Sequence, residues 1–226
     1  INERPYSQSR GLFCPLTGYN SLTFVVRVMQ TDSKLRTITI FSGSADHLCQ
    51  CYTQGAWKLG SVLAERGLTL VFGGGKTGLM GALAEGALAS GGQVVGVINE
   101  SLNTPRLAHA GLSRMEVLPD LHTRKARMSA LADAYIALPG GLGTFDELFE
   151  ALTWAQIGLH AKPIGLLNIN RYFDPLLALV DHAIAEHFIY PEHRRLLICE
   201  EEAQTLIDKM QAYSPPENLS RWVERP

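Results

Sequence analysis

The chain has 226 residues, of which 46% are hydrophobic and 19% charged, and its formal net charge is −2. These values suit a single globular domain with an ample core, and the near-neutral charge argues against nucleic acid as the main partner. No apolar run is long enough to cross a bilayer, so we expect no membrane partner either.

Residues 1–34 lack clear periodicity, and we expect them to be a poorly structured appendage. One hypothesis is that Met29 is a natural start, in which case a protein shortened to begin there keeps its stability and activity. The folded domain is expected to span 35–214 and to be followed by a frayed tail, 215–226.

From Leu35 onward, strand and helix patterns alternate. Strands are predicted at 35–41, 68–72, 93–98, 115–118, 134–138 and 163–167, and helices at 49–66, 78–89, 120–131, 144–159, 173–186 and 203–213. Residues 99–115 predict a loop of the kind that often covers a site. The alternation predicts an α/β, single-domain, three-layer sandwich with a mostly parallel sheet and helices on both faces.

Glycine-rich turns follow the strands that end at Phe41, Phe72 and Leu138. The carboxyl ends of parallel strands share one edge of a sheet, where ligands bind. The turn Gly73–Gly81 is too short for a triphosphate loop and lacks the acidic residue of a dinucleotide site. We expect it both to pack tightly and to present N–H groups to a ligand.

The third turn enters a helix through Pro139-Gly140-Gly141-x-Gly143-Thr144. Its free N–H groups and the helix dipole predict a phosphate cradle, with the Glu147 carboxylate one helical turn away. The alternative is a capping box, in which Thr144 is the N-cap and Glu147 folds back onto it. The glycines favour the cradle, since a plain cap does not need them. Glu150 and Thr153 extend the face of Glu147 as a polar stripe.

The segment from Arg124 to Arg127 places three cations near the start of a helix. A solvated basic face is the simpler interpretation. Cations at a helix N-terminus oppose the macrodipole, however, which favours a nearby anion. We expect Arg124 to point into the pocket and Arg127 to face water.

The four cysteines and seven histidines form no metal-ligand pattern, so we expect no metal. Cys14, Cys49, Cys51 and Cys199 are interpreted as reduced thiols of a cytoplasmic protein, with Cys199 in the core. No Gly-x-Ser-x-Gly elbow occurs, which argues against a serine hydrolase.

Together these motifs resemble the LONELY GUY family of cytokinin riboside 5′-monophosphate phosphoribohydrolases. The resemblance runs from about Thr37 to Met210 and is carried by Phe41-Ser42-Gly43-Ser44, the Gly73–Gly81 turn, Arg124-Lys125 with Met128, Pro139-Gly140-Gly141-x-Gly143-Thr144-x-x-Glu147 and Thr153-Trp154-Ala155-Gln156. It implies a Rossmann-like fold, a homodimer, and hydrolysis of the N-glycosidic bond of purine nucleoside 5′-monophosphates, AMP included, without a cofactor.

The resemblance also implies site residues. Arg124 and Glu147 correspond to the catalytic pair. Substrate-binding positions are Gly43, Ser44, Gly74, Gly75, Met80, Lys125, Gly140, Gly141, Gly143, Thr144, Asp146 and Thr153. One departure is Leu107, where the family usually has a substrate-contacting Glu.

Three other functions compete with this one. A molybdenum cofactor carrier would use the same cradle to hold a phosphorylated ligand without hydrolysing it. A pyridoxal phosphate decarboxylase lacks a recognisable Schiff-base lysine here, and a nicotinamide oxidoreductase lacks its fingerprint.

Overall fold

The computed structural model describes residues 35–217 and 219. The predicted appendage 1–34, its Met29 and Cys14, and most of the predicted tail lie outside the described residues. The strands are β1 Thr37–Phe41, β2 Thr69–Phe72, β3 Val94–Asn99, β4 Arg114–Leu118, β5 Ala134–Ala137, β6 Ile164–Leu167 and β7 Leu197–Glu200. The α-helices are α1 Gln50–Glu65, α2 Gly78–Ala89, α3 Leu121–Leu131, α4 Leu142–Gln156, α5 Asp174–Ala185 and α6 Ala203–Gln211.

The strands form one sheet in the order β4-β3-β2-β1-β5-β6-β7, and every described pairing is parallel. The predicted α/β fold is therefore confirmed. Strand β7 was not predicted, because its four residues follow a short 3-10 helix, Pro191–Leu196, and form an apolar run too short to tell a strand from the end of that helix.

The core has two halves, one on each face of the sheet. Alternate residues of β1 point to opposite faces, so Ile38 and Ile40 pack with α1, α2 and α6, whereas Phe41 packs with α3, α4 and α5. Cys199, expected in the core, is only half-buried at the margin of the second half. Helices thus cover both faces, which leaves the carboxyl edge of the sheet open to a ligand.

The connection after β3 contains a short 3-10 helix, Glu100–Leu102, and is held by hydrogen bonds to the glycine turn after β2. The Lys76 N–H donates to the Leu107 carbonyl at 2.8 Å, and the His109 N–H donates to the Gly74 carbonyl at 2.9 Å. The Lys76 ammonium also donates to the Pro105 carbonyl at 2.5 Å. These bonds fix the predicted covering loop over the edge of the sheet.

Candidate active site

A cavity of about 690 Å³ opens where the strand order reverses, between β1 and its two neighbours β2 and β5. The turns after β1 and β5 lie against each other, because the Gly43 N–H donates to the Pro139 carbonyl at 3.0 Å. Ligands of open parallel sheets bind at such a reversal. The volume lies in the range of sites that hold small molecules and cofactors.

The start of α4 forms one wall of this cavity. The helix begins at Leu142, Gly141 is the N-cap, and no side chain caps it. The first bond into the helix is made by the Phe145 N–H, which donates to the Gly141 carbonyl at 3.0 Å. The N–H groups before it have no partner within the helix. They and the positive end of the dipole suit a phosphate.

The capping-box alternative is wrong. Thr144 is the third residue of the helix rather than its N-cap, and it is buried. The Glu147 side chain bonds to Arg124 instead of folding back onto the Thr144 N–H. The helix therefore starts two residues earlier than predicted, with Gly141 as its N-cap and Gly143 in its first turn.

Gly140 allows the turn to lie close to its neighbours. A Cβ built on this residue would stand 2.1 Å from the Thr144 Oγ1 and 2.8 Å from the Gly43 nitrogen. Any side chain here would push the three segments apart. The turn lines the cavity with Pro139, Gly140, Gly141, Gly143 and Thr144.

A buried ion pair lies next to this turn. The Arg124 Nη1 donates to the Glu147 Oε1 at 3.0 Å, and each side chain is 9% exposed. The Arg124 Nε donates to the Val97 carbonyl at 2.8 Å, which fixes the guanidinium plane. Gly73 makes room for it, since a Cβ there would lie 2.4 Å from the Arg124 Nη2. Both predicted catalytic side chains thus line the cavity.

Burial raises the pKa of Glu147 above its ordinary value, and the Arg124 guanidinium opposes that shift without cancelling it. The cause is desolvation, which disfavours the charged form of a carboxyl group. A carboxylate held in such a site interacts with developing positive charge more strongly than it would in water. The Glu147 carboxylate can therefore stabilise positive charge that develops on a bound ligand.

The predicted polar stripe along α4 divides between two environments. Glu147 lines the cavity, whereas the Glu150 Oε2 accepts from the Lys125 Nζ at 2.7 Å outside it. The Lys125 Nζ also donates to the Asp146 Oδ2 at 2.9 Å. Burial disfavours the charge of Lys125, but the two carboxylates outweigh that and raise its pKa. Thr153 is exposed, and its hydroxyl donates to the Phe149 carbonyl at 2.7 Å.

Lys125, Asp146 and Thr153 therefore do not line the main cavity of this chain. Among the other predicted binding residues, Gly43, Ser44, Gly75 and Met80 do line it. Gly74 does not; it has a φ of 73°, and a Cβ there would press on Met115 and Ile98. Arg127, expected to face water, is partly exposed and pairs with Glu116 at 2.7 Å.

Two features of the cavity were not predicted. The first is Ser42, which is 3% exposed and lines the cavity, and whose Oγ has no hydrogen-bond partner among the described residues. A buried hydroxyl without a partner is costly, which suits a group that bonds to a ligand. The second is a rim of partly exposed leucines, hereafter the leucine rim: Leu48, Leu102, Leu107 and Leu121. The departure at Leu107 was the only sequence signal for this rim.

Across 35–217 and 219, no three His, Cys, Asp or Glu side chains are grouped closely enough to hold a metal ion. In the same part of the chain, no helix has both the length and the apolar character needed to span a membrane.

Comparison with known proteins gives a family match and curated relatives. Residues 80–210 match the family model described as "Possible lysine decarboxylase". A cytokinin riboside 5′-monophosphate phosphoribohydrolase of Rhodococcoides fascians is 49% identical over 168 residues, which cover 74% of this chain and 85% of that protein. The LOG7 enzyme of the same description from Arabidopsis thaliana is 40% identical over 186 residues, covering 82% and 86%.

Solved structures with the same fold include molybdenum cofactor proteins. The molybdenum cofactor binding protein of Rippkaea orientalis has a TM-score of 0.61 at 23% identity, covering 79% of this chain and 97% of that one. The molybdenum cofactor carrier protein of Chlamydomonas reinhardtii also has a TM-score of 0.61, at 18% identity, covering 80% and 100%. At these identities the likeness concerns the fold alone.

Proposed function

Because the chain belongs to the family of cytokinin riboside 5′-monophosphate phosphoribohydrolases, we propose that it hydrolyses purine riboside 5′-monophosphates, AMP included, to the free base and ribose 5-phosphate. The observation that carries this proposal is the buried Arg124–Glu147 pair beside an uncapped, glycine-built helix start in one cavity. A phosphate site next to a desolvated carboxylate is what such a reaction needs.

The 5′-phosphate binds at the start of α4. The N–H groups of Gly143 and Thr144 donate to its oxygens, and the hydroxyl of Ser42 bonds to the sugar-phosphate as well. Phosphate binding places C1′ of the ribose near Glu147, so that binding energy is converted into position. We propose the same substrate-binding role for Gly43, Ser44, Gly75 and Met80, which share the cavity.

Glu147 and Arg124 act on the glycosidic bond. As the bond between C1′ and the base nitrogen breaks, positive charge develops on the ribose ring and negative charge on the base. The Glu147 carboxylate stabilises the ring cation and orients the attacking water, whose hydroxyl goes to C1′ and whose proton goes to the base. Arg124 acts electrostatically, since a guanidinium stays protonated.

The base lies toward the leucine rim. This rim is apolar and partly exposed, so it suits an adenine that carries an apolar substituent on N6 while leaving space for unmodified adenine. Since Leu107 presents no carboxylate to the base or ribose, recognition there rests on shape and apolar contact. We propose that AMP is a substrate and that N6-alkylated AMP is a better one.

The decisive experiment measures base release from AMP, isopentenyl-AMP, GMP and CMP by chromatography. We expect release from the two adenine nucleotides and little from CMP. AMP bound but recovered intact would favour the carrier function instead. No lysine is among the described residues that line the cavity, so we also expect a featureless visible spectrum, without a pyridoxal phosphate band.

We further propose a homodimer that forms through the exposed face of α4. Leu142 is 87% exposed, and Phe149 adds a second exposed apolar side chain on the same groove. Asp146 and Thr153 line that groove, so we propose that they bind the substrate at the dimer interface. Sedimentation velocity should give a dimer, and Phe149→Asp should weaken it.

The free thiols of Cys49, Cys51 and Cys199 favour a cytoplasmic location, which we propose for this protein.

A further inference from the structure

Two cysteine side chains meet at the start of α1. The Sγ atoms of Cys49 and Cys51 are 3.0 Å apart. Cys49 is exposed and is the N-cap of the helix, where no side chain caps the N–H groups, and Cys51 is partly buried in the first turn. A disulfide needs an S–S distance of about 2.0 Å, so the two sulfurs must approach by only about 1 Å to bond.

The environment makes one of the two thiols the nucleophile. A helix N-terminus stabilises a thiolate. The pKa of Cys49 is lowered, first by the hydrogen bond from the Cys51 thiol and then by the Cys51 backbone N–H. The same hydrogen bond raises the pKa of Cys51. The exposed Cys49 is therefore the thiol that meets an oxidant, and Cys51 is positioned to resolve the product.

The pair is connected to the wall of the cavity on both sides. Leu48 and Tyr52, which flank it in sequence, both line the cavity. The Tyr52 ring packs edge-on against Tyr172 with centroids 6.2 Å apart. The Tyr172 hydroxyl donates to the Gly140 carbonyl at 2.5 Å, inside the glycine turn before α4. A change in the first turn of α1 is thus transmitted to the phosphate end of the cavity by direct contacts.

We propose that Cys49 and Cys51 form a peroxide-sensitive dithiol whose oxidation to a disulfide distorts the cavity wall and weakens substrate binding. The Cys49 thiolate attacks a peroxide oxygen, the O–O bond breaks, and Cys49 becomes a sulfenic acid while hydroxide leaves and is protonated to water. The Cys51 sulfur then attacks the Cys49 sulfur, the S–O bond breaks, and a second water leaves. Two thiols and one hydrogen peroxide thus give one disulfide and two waters, and a dithiol reductant reverses the reaction.

The effect on binding rests on the proposed function, whereas the thiol chemistry does not. The test uses the full chain with Cys14→Ser and Cys199→Ser, which leaves the pair as its only thiols. Hydrogen peroxide should remove both thiols, lower the intact mass by about 2 Da, and raise the KM for AMP about tenfold. Dithiothreitol should restore both thiols and the original KM.

Matched variants of the same protein add Cys49→Ser or Cys51→Ser. Each should retain its KM after peroxide, and the Cys51→Ser protein should trap dimedone on Cys49 as a sulfenic acid. Near-UV circular dichroism, to which Tyr52 and Tyr172 contribute along with the other aromatic side chains, needs no substrate, and this tyrosine signal should change on oxidation only when both cysteines are present.

Three results would overturn the proposal. These are thiols that survive peroxide, oxidation of Cys49 to sulfinic acid without a disulfide, and a disulfide that leaves both the KM and the tyrosine signal unchanged. If AMP is not hydrolysed at all, the proposed function fails, but the mass, the thiol count and the tyrosine signal still decide whether the pair is a switch.

Discussion

The two ends of the cavity are built from different parts of the polypeptide. At one end, after β5, the glycine turn and the start of α4 present main-chain N–H groups. At the other, the leucine rim presents side chains, most of which follow β3 and β4. Strands β5 and β3 are three sheet positions apart, which is about 14 Å at the usual strand spacing.

This difference matches the two parts of the proposed substrate. The sugar-phosphate is common to all nucleotides, and in this proposal it is met mainly by peptide groups, which are present whatever side chain a residue carries. The base varies between nucleotides, and the side chains proposed to contact it can be exchanged by substitution. The Arg124–Glu147 pair lies between the two ends, since Arg124 bonds to Val97 of β3 and to Glu147 of α4. Three predictions test this division, and a fourth concerns the stability of the fold.

The largest effect is expected from removing the negative charge of Glu147, which lies between the two ends of the cavity. Glu147→Gln keeps an oxygen that accepts the Arg124 hydrogen bond but removes the negative charge, so kcat for AMP should fall by about 10²- to 10⁴-fold. The dissociation constant for AMP, measured by calorimetry, should change little. Glu150→Gln is the matched control, because Glu150 pairs with Lys125 outside the cavity. Near-normal turnover of Glu147→Gln would give its carboxylate a purely structural role.

At the main-chain end, Gly140→Ala adds a methyl group that collides with the Thr144 Oγ1 and the Gly43 nitrogen. The KM for AMP should rise about 10- to 100-fold as the turn shifts. The control is Gly111→Ala, whose Cβ would lie at an ordinary 3.5 Å from the His109 ring and which does not line the cavity, so the KM for AMP should stay the same. The defect should disappear with adenosine, which has no phosphate to hold. An equal loss with both compounds would argue against phosphate binding here.

At the side-chain end, Leu107→Glu replaces an apolar contact with a charge. The preference for isopentenyl-AMP over AMP in kcat/KM should fall about tenfold, because one apolar contact with a substrate contributes about 1–3 kcal/mol. Val117→Glu is the matched control, since Val117 is 42% exposed, against 41% for Leu107, and does not line the cavity. If both variants keep the preference, the leucine rim does not recognise the base.

The fourth prediction concerns the stability of the fold against acid, which depends on His160, a residue that does not line the cavity. The His160 Nε2–H donates to the Ala151 carbonyl at 3.1 Å, and the Nδ1 accepts from the Lys162 N–H at 3.2 Å, an arrangement that fits the neutral ring. Burial, and then the charge of Lys162, lower the pKa of His160 to about 4. An unfolded histidine titrates near 6.5, so the unfolded chain binds more protons between the two values.

The stability that His160 contributes is therefore present above pH 6.5 and is lost as the pH falls toward 4, by about 3 kcal/mol for a pKa that moves from 6.5 to about 4. Urea unfolding across this range should show the loss, and His160→Gln should flatten it. His122→Gln, at an exposed position of α3, should leave the slope as it is. An unchanged slope in His160→Gln would assign the acid sensitivity to other groups.

The fold class and most helix limits could be predicted from the sequence, whereas individual contacts between side chains could not. Helix α2 has its predicted limits, because Gly78 and the glycines after Ala89 mark both ends. The start of α4 was misplaced, because threonine is a preferred N-cap in general. Here Thr144 is instead buried against Gly140, a contact that sequence patterns do not encode.

The residues of the site also divide into those that sequence patterns predicted and those that only the fold brings together. The glycine turns are contiguous in sequence and could be recognised, and they predicted the main-chain end of the cavity. The partner of Glu147 lies 23 residues away, and the leucine rim is assembled from three separate segments. Its members have no common spacing, so only the fold could bring them together. The unpartnered Ser42 hydroxyl is likewise a property of its surroundings.

The connection after β3 is held to the glycine turn after β2 by main-chain bonds with Lys76 and Gly74, in which the side chains of Leu102 and Leu107 take no part. Residues 102 and 107 can therefore be randomised without altering the path of the backbone that carries them. A library at these two positions, screened for base release, would turn this scaffold into a set of hydrolases with different nucleobase preferences.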